Sequence, residues 1–458
     1  MKLFRAAAAT LVVALALGGC GGGGGGGNGP AGSGGSSEGS GGNGGTTAPA
    51  SALVLTVRIN DATRPASDSY DVKDGDTVEV SSSKGVTWKS TSPDVQLSIK
   101  SVSDTTWKVG LTKKTAAAAS VVLSASDGGS SKTLTFNLPA TDARNGTYKV
   151  YATNGSRLDL KLDFDTKTYS FSNSSLSEAS ASGTFSADDA ESGTFVFNSP
   201  RVATATNTAR FRVMGDTVLG AFPFVAKQKS ESTYEVRPFV ASRALATDRS
   251  KFDGVYNRFG INLSPLTSNI SQFEISGGGT TLRRCDTLQI YRIATCPTAS
   301  VLTYTIAPGV TEGTWSLVDS TNKIAGSFGM APINGKYVLL MAGIPETGLP
   351  DTLFRIGLPE TPDWPTGHGY GSATSGSWGE VDLLGNGTST RKALAADGTT
   401  PTASNAWSSP WSDGPYGVRS ETFADRRTYF AAQSAGIFAI VGANDPATAG
   451  YLQLNLLD

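Results

Sequence analysis

Gly220-Ala-Phe-Pro-Phe-Val225, followed by Tyr234-Glu-Val-Arg237, is the stretch on which the fold turns, because it recurs. Gly326-Ser-Phe-Gly-Met-Ala331 precedes Tyr337-Val-Leu-Leu340, and Gly436-Ile-Phe-Ala-Ile-Val441 precedes Tyr451-Leu-Gln-Leu454. The three glycines stand 106 and 110 residues apart, each with a phenylalanine two residues later. Upstream, Asn145-Gly-Thr-Tyr148 and Asp253-Gly-Val-Tyr256 are 108 residues apart and open the first two units. An interval held this steadily is the mark of a repeated module, although only the phenylalanine keeps a fixed offset and coincidence competes with repetition.

Strand candidates in the first unit begin near Tyr148, Leu158, Tyr169, Gly183, Phe195, Phe211, Val218 and Tyr234, with turns such as Asp165-Thr-Lys167 and Asp188-Asp-Ala-Glu191 between them. Apolar spacing at 3.6 residues never persists beyond two turns, so helices are not expected. Eight short strands joined by hairpin turns predict an all-β chain of repeated antiparallel modules, small barrels or sandwiches. The alternative is a single β-propeller of six or seven four-stranded blades. The modules expected are 141–248, 249–348 and 349–458.

Residues 51–140 form a separate β module. Val57, Ile59, Thr77-Val-Glu-Val80, Val86-Thr-Trp88, Leu97-Ser-Ile99, Trp107-Lys-Val109, Ser120-Val-Val-Leu123 and Leu134-Thr-Phe136 give about seven strands. Their spacing near ten residues predicts a sandwich, with Trp88 and Trp107 in its core. This stretch resembles the disulfide-free immunoglobulin-like modules of bacterial surface proteins, which implies a spacer or adhesive unit.

The N-terminus carries an address. Lys2 and Arg5 precede an apolar run from Ala6 to Leu17, too short for a membrane span, and Leu17-Gly18-Gly19 leads into Cys20. A small-residue cut site followed by cysteine resembles the lipobox of bacterial lipoproteins. The resemblance implies that residues 1–19 are a signal peptide and that Cys20 takes a diacylglycerol and an acylated amino terminus. Membrane attachment then falls to the lipid, at roughly 0.8 kcal/mol per buried methylene. Gly21 stands where aspartate favours inner-membrane retention, so the resemblance implies the outer membrane, with the body facing periplasm or medium. Residues 20–50 are rich in Gly and Ser and read as a flexible tether reaching about 30 Å. The tether and the hairpin stretch Gly183-Thr-Phe to Phe197 are similar in style to lipidated host-capture proteins such as transferrin-binding proteins. No family-specific motif accompanies that likeness, so it transfers no binding residues.

Composition narrows the function. Charged residues make up 17% and the net charge is −1, so no basic face points to nucleic acid. With Cys20 assigned to lipid, Cys285 and Cys296 remain as a local disulfide across a hairpin or loop, worth about 2–3 kcal/mol in the chain-entropy model. The single histidine, His368, lies in Thr366-Gly-His-Gly-Tyr-Gly371 and reads as a solvated loop side chain. Ser81/Lys84 and Ser320/Lys323 have Ser-x-x-Lys spacing but fall in turns, where it does not align the pair. Asp159, Asp163 and Asp165, and Asp188, Asp189 and Glu191, are read as turn residues. No catalytic set, metal site or cofactor follows.

One local signal remains. Trp364, Trp378, Trp407 and Trp411 fall within 48 residues, with Tyr370 and Tyr416 among them, in Pro- and Gly-rich surroundings. Trp378 alternates like a strand residue and reads as core. The cluster reads first as core of the third module, whose other apolar residues are sparse in this stretch; the alternative is an exposed platform that stacks on a glycan or anchors a protein partner, for which Trp407 and Trp411, with Tyr416, Trp364 and Tyr370, are the candidates. The expected function is therefore a non-enzymatic lipoprotein with a binding or adhesion role at the envelope. A structural part of an envelope assembly, or a carboxylate-dependent enzyme acting on glycans, are the alternatives. Cys20→Ala is expected to leave the protein unlipidated and soluble on fractionation; unacylated protein that stays with the membrane would refute the anchor.

Overall fold

The computed structural model describes residues 52–226, 233–287, 289–343, 352–408 and 413–458. The expected signal segment, the expected tether with Cys20, and Trp411 lie outside them. The described chain is all-β apart from single 3-10 turns such as Arg249–Lys251. Among the described residues no helix is long and apolar enough to cross a membrane, which says nothing of membrane barrels.

The first module is two sheets. One orders Ala62–Thr63, Leu55–Ile59, Val78–Ser82, Thr106–Lys113 and Val95–Ser103; the other orders Ser69–Asp71, Ser131–Leu138, Ala119–Ser126 and Thr87–Thr91. Period-2 alternation buries Val57, Val80 and Val109 from the first and Val121, Leu123 and Phe136 from the second. Trp88 and Trp107, one on each sheet, meet edge to face with centroids 5.3 Å apart.

After Ala140 the strands close into barrels rather than propeller blades. The first barrel runs through Gly146–Ala152, Arg157–Asp163, Thr168–Ser172, Ala181–Ala187, Thr194–Phe197, Arg210–Met214, Thr217–Val225 and Tyr234–Ser242. All eight strand positions read from the sequence are there. Each strand is antiparallel to the next, and the last pairs with the first through Ala241 and Val150. The second barrel uses Gly254–Leu263, Leu266–Ser276, Thr281–Cys285, Val301–Pro308, Thr314–Val318, Ile324–Ile333, Lys336–Gly343 and Leu353–Pro359. Its first strand pairs with its last, so the break before the third module falls after Pro359, not between residues 348 and 349.

The third module orders Thr402–Ala406, Thr388–Leu394, Trp378–Leu383, Gly367–Ala373, Leu452–Leu457, Ile437–Gly442, Thr428–Ser434 and Val418–Thr422. Its two edge strands are linked by an isolated bridge between Ser408 and Ser420, which makes it a near-barrel. Closing so few strands requires strong coiling, and glycine permits it. A Cβ on Gly371 would lie 1.9 Å from the Leu454 carbonyl oxygen of the adjacent strand.

The repeat is real but not uniform in register. Tyr148 and Tyr256 open the first two barrels, and each hydroxyl donates to the carbonyl four residues before it, Arg144 at 2.7 Å and Phe252 at 2.8 Å. The glycine motif, by contrast, sits in the seventh strand of the first barrel and the sixth of the second. Outer faces of the three barrels meet in one apolar cluster: Tyr151, Leu219 and Val240 from the first, Phe259, Leu340 and Ile356 from the second, Ile437, Val441 and Leu454 from the third. Strands that border it are buried on both faces, as Val218–Phe224 and Leu452–Leu457 are.

Inside the first barrel the fill is phenylalanine. Phe171, Phe197, Phe211, Phe222 and Phe239 are fully buried, and the Phe171 and Phe222 centroids lie 4.4 Å apart. Phe222→Ala is expected to cost about 3–5 kcal/mol in chemical denaturation, the loss of a large core aromatic plus the cavity it leaves; a cost under about 1 kcal/mol would mean that the barrel is not packed this way.

Candidate functional site

The aromatic residues singled out in the third module are mostly interior. Trp407 and Trp364 are buried with Phe438, Val381 and Leu383 inside the near-barrel. The Trp407 indole N–H donates to Ser389 Oγ at 2.8 Å, a bond that holds it inward. The exposed platform expected at Trp407 and Trp364 is thus corrected: the strand Gly367–Ala373 carries glycine at 367, 369 and 371, and these two indoles fill the space it leaves. Trp411 lies outside the described residues, so its part in a platform is left as an expectation.

Tyr370 and Trp378 face outward from the third module but are covered by the first barrel. Tyr370 lies under the Arg212 guanidinium at 4.7 Å, and Arg212 pairs with Asp458. Trp378 is fully buried against Ala221 and donates its N–H to Glu191 Oε2 at 2.7 Å. Glu191, a turn carboxylate by sequence, is therefore an inter-barrel acceptor, and burial holds its pKa above the usual carboxylate range.

Of the described aromatic candidates, Tyr416 is the exposed one, 48% accessible, and it is engaged. The Arg292 guanidinium stacks on it at 4.0 Å, and Arg292 also donates to the Gly414 carbonyl. Arg292 belongs to the loop closed by the Cys285–Cys296 disulfide, which staples the connection from Thr281–Cys285 to Val301–Pro308. The same loop binds inward, Ile293 N–H donating to Gln272 Oε1 at 2.7 Å. Gln272 in turn reaches Asn257 and Glu360, and Glu360 accepts from the Tyr416 N–H. Among the described residues between the cysteines the chain runs as a loop with a 3-10 turn at Ile293–Thr295.

His368 is on the strand Gly367–Ala373, not in a loop, and its Nδ1 lies 2.7 Å from Asp382 Oδ1. His368, Glu380 and Asp382 bring ligand atoms within 4.8 Å of one another, so the surface there could hold a divalent cation, which the sequence did not suggest. The other acidic groups have local partners. Asp159 pairs with Lys149 at 2.7 Å, Asp188 pairs with Arg210 at 2.7 Å, Asp163 accepts from the Thr166 N–H of its turn, and Asp165 accepts from the Asp142 N–H and the Asn145 side chain. Lys84 pairs with Asp127 and Ser81 with Thr106, so neither of these groups meets the other. An open crevice of about 840 Å³ between the sandwich and the first barrel is lined by Lys113, Asp142 and Arg243, all hydrogen-bonded.

The second barrel is different inside. At the end where its first strand begins, Phe252, Tyr256, Phe273 and Trp315 plug it. Toward the end that carries the disulfide loop lies a cavity of about 80 Å³, lined by Arg258, Arg284, Arg355, Tyr304 and the apolar Leu282, Leu317, Leu339, Met341 and Leu353. Inward-facing positions alternate along Tyr256-Asn-Arg258-Phe-Gly260-Ile-Asn262, with Phe259 and Ile261 turned out to the shared core. Arg258 and Arg355 are 7% and 5% exposed. Arg355 donates to the carbonyls of Ile261 and Phe354 and to Asn262 Oδ1, and Arg258 to Asn269 Oδ1. Among the described residues neither forms an ion pair, while Arg284 pairs with the exposed Asp286 at 3.1 Å. Burial, with the charges of its neighbours, pulls Arg355 down to about 9 and lowers Arg258 well below the normal guanidinium range.

Buried donors here are left unsatisfied: Arg258 Nε, Arg284 Nε and the Ser271 hydroxyl. Native interiors seldom leave such groups unpaired, and uncompensated buried charge is expensive. The site escaped the sequence because its arginines are up to 97 positions apart and only barrel closure brings them together. The signal that could have found it is the polar alternation Arg258, Gly260, Asn262 inside an otherwise apolar strand.

No protein-family model matches the chain, and no curated protein does. A solved structure, a quinonprotein alcohol dehydrogenase-like protein from Bacteroides thetaiotaomicron, aligns over 88% of this chain and 99% of its own at 11% identity, with a TM-score of 0.15. A likeness that low bears on neither fold nor activity.

Glu191 supplies a pH test of the barrel contact. Its raised pKa means that the folded state binds the proton more tightly, so its contribution is fullest at acid pH and declines as pH rises. Compared with Glu191→Gln, which keeps an acceptor for Trp378 and cannot titrate, the wild type should lose melting temperature progressively from about pH 4 toward neutrality. Parallel pH profiles for the two proteins would show that Glu191 is not buried in this contact.

Proposed function

We propose that this chain is a lipoprotein anchored at Cys20, with its body held off the outer membrane by the Gly/Ser tether, and that it holds a ligand without transforming it. The two-sheet module reads as an immunoglobulin-like spacer, and the packed barrels as the working unit. The second barrel is the ligand-binding module.

The observation that carries this reading is the contrast between barrel interiors. The first is closed by interlocked phenylalanines, and the third by Trp364, Trp407 and Phe438. The third also encloses one arginine with an unpaired Nε, Arg391, but the second gathers three arginines around a cavity, two of them with unpaired Nε atoms. Small antiparallel barrels that enclose an interior space commonly place a ligand there. Placing function in this barrel replaces the aromatic platform as the binding surface, since Trp364 and Trp407 are spent on packing. A non-catalytic role is favoured because the acidic clusters are engaged in turns and ion pairs, and His368 is held by Asp382.

Native mass spectrometry of the mature protein, purified gently from the envelope, tests the proposal. The wild type should carry a small added mass that is absent from Arg258→Met. Bare protein in both preparations, with or without envelope extract added back, would overturn the binding role.

A further inference from the structure

We infer that the cavity of the second barrel is a site for a small aliphatic carboxylate, its head held by Arg258, Arg284 and Arg355 and its chain laid against Leu282, Leu317 and Met341. This deepens the ligand-binding reading above and rests on it.

Charge sets the head group. A guanidinium gives up its proton less readily than any other cationic side chain, so a bound anion is the ready compensation for the two buried arginines. Main-chain carbonyls and the Asn262 and Asn269 side chains take some of their protons but supply no negative charge. A planar carboxylate matches the guanidinium fork with two parallel bonds, as a phosphate also does, so the choice between them falls to the lining. The carboxylate would also give the unpartnered Nε atoms of Arg258 and Arg284, and the Ser271 hydroxyl beside them, an acceptor within the barrel.

The backbone is built around this arrangement. Gly260 faces inward between Arg258 and Asn262, and a Cβ there would lie 2.4 Å from Arg355 Cδ. Any side chain at Gly260 would therefore displace Arg355 from its course. Cys285 follows Arg284 directly, so the disulfide fixes the strand end from which Arg284 enters.

Size and lining set the rest of the ligand. A space of about 80 Å³ corresponds to roughly six water-sized positions, hence a carboxylate of about three to five carbons. Inorganic oxyanions would satisfy the arginines but leave the leucine and methionine walls unfilled. Long acyl chains are excluded by the aromatic plug of Phe273, Tyr256 and Trp315 below the cavity.

The test is isothermal titration of the mature full-length protein with butyrate, against butanol and against phosphate and sulfate at equal ionic strength. Butyrate should bind at least tenfold tighter than either inorganic anion, and butanol should not bind measurably. Arg258→Met and Arg355→Met should each weaken butyrate at least tenfold. Because replacing a buried unpaired charge with a shape-matched apolar chain relieves its desolvation, these variants should melt at or above the wild-type temperature without ligand, yet gain nothing from butyrate. Variants that melt far lower would mark the arginines as structural and overturn the site. Equal binding of phosphate and butyrate would overturn the aliphatic part. No binding of any anion by wild type would overturn this inference, whereas the added mass in native spectrometry would still stand or fall by itself.

Discussion

Three barrels share one apolar core on their outsides, and that constraint governs the rest of the molecule. A small barrel usually needs apolar residues only within. Here Leu219, Val240, Phe259, Ile356, Ile437 and Leu454 point away from their own barrels and into their neighbours. The strands that carry them must be apolar on both faces, which is why Gly220-Ala-Phe-Pro-Phe-Val225 and Gly436-Ile-Phe-Ala-Ile-Val441 are continuous runs rather than alternating ones. Each barrel is thereby fixed against the others over much of its wall, and polar contacts at the seams set orientation: Trp378 to Glu191, Arg212 to Asp458, Arg292 to Tyr416. Those seam contacts are specific in direction, whereas the apolar core beneath them is not.

With the outsides committed to assembly, the insides are free to differ. Phenylalanine in the first barrel gives large area with few rotatable bonds, and its rings lock edge to face. The third draws its bulk from Trp364 and Trp407 because the strand Gly367–Ala373 offers glycine at its inward positions. In the second, aromatic fill stops partway and arginines take over. That change is not forced by assembly, since the outward residues of the same strands, Phe259 and Ile356, are ordinary members of the shared core. An interior departure of this kind, costly in desolvation and unrelated to packing between barrels, is where function is most economically placed.

Legibility in the sequence followed the range of the interactions. Strands and hairpin turns are local, and every strand of the first barrel was readable from alternation and from turns such as Asp165-Thr-Lys167, where Lys167 adopts a positive φ of 54°. The openings Asn145-Gly-Thr-Tyr148 and Asp253-Gly-Val-Tyr256 were equally local, and their tyrosines make the same bond to the carbonyl four residues back. The glycine motif misled in detail, because any coiled strand near the shared core favours glycine and bulk together, whichever strand of its barrel it is. The tryptophans were legible as a group and not singly: sparse apolar neighbours pointed to core, while Pro- and Gly-rich surroundings singled out Trp407 for the surface, where instead a glycine-lined strand leaves interior space that its indole fills. Arg258, Arg284 and Arg355 were missed for a different reason: they lie on separate strands, and only closure sets them together.

The disulfide loop ties these levels into one device. Cys285 ends the strand that delivers Arg284 to the cavity, and Cys296 returns the chain to the next strand. Between them, Ile293 is held by Gln272 of the second barrel while Arg292 is held by Tyr416 and Gly414 of the third. Glu360, just past the last strand of the second barrel, joins Gln272 to the Tyr416 main chain. A loop pinned at both cysteines and on both sides has little freedom of its own. The rim of the cavity is consequently set by the contact between second and third barrels as much as by the second barrel alone. This gives Tyr416 a role that its exposed ring conceals: it is the third barrel's grip on the mouth of the second.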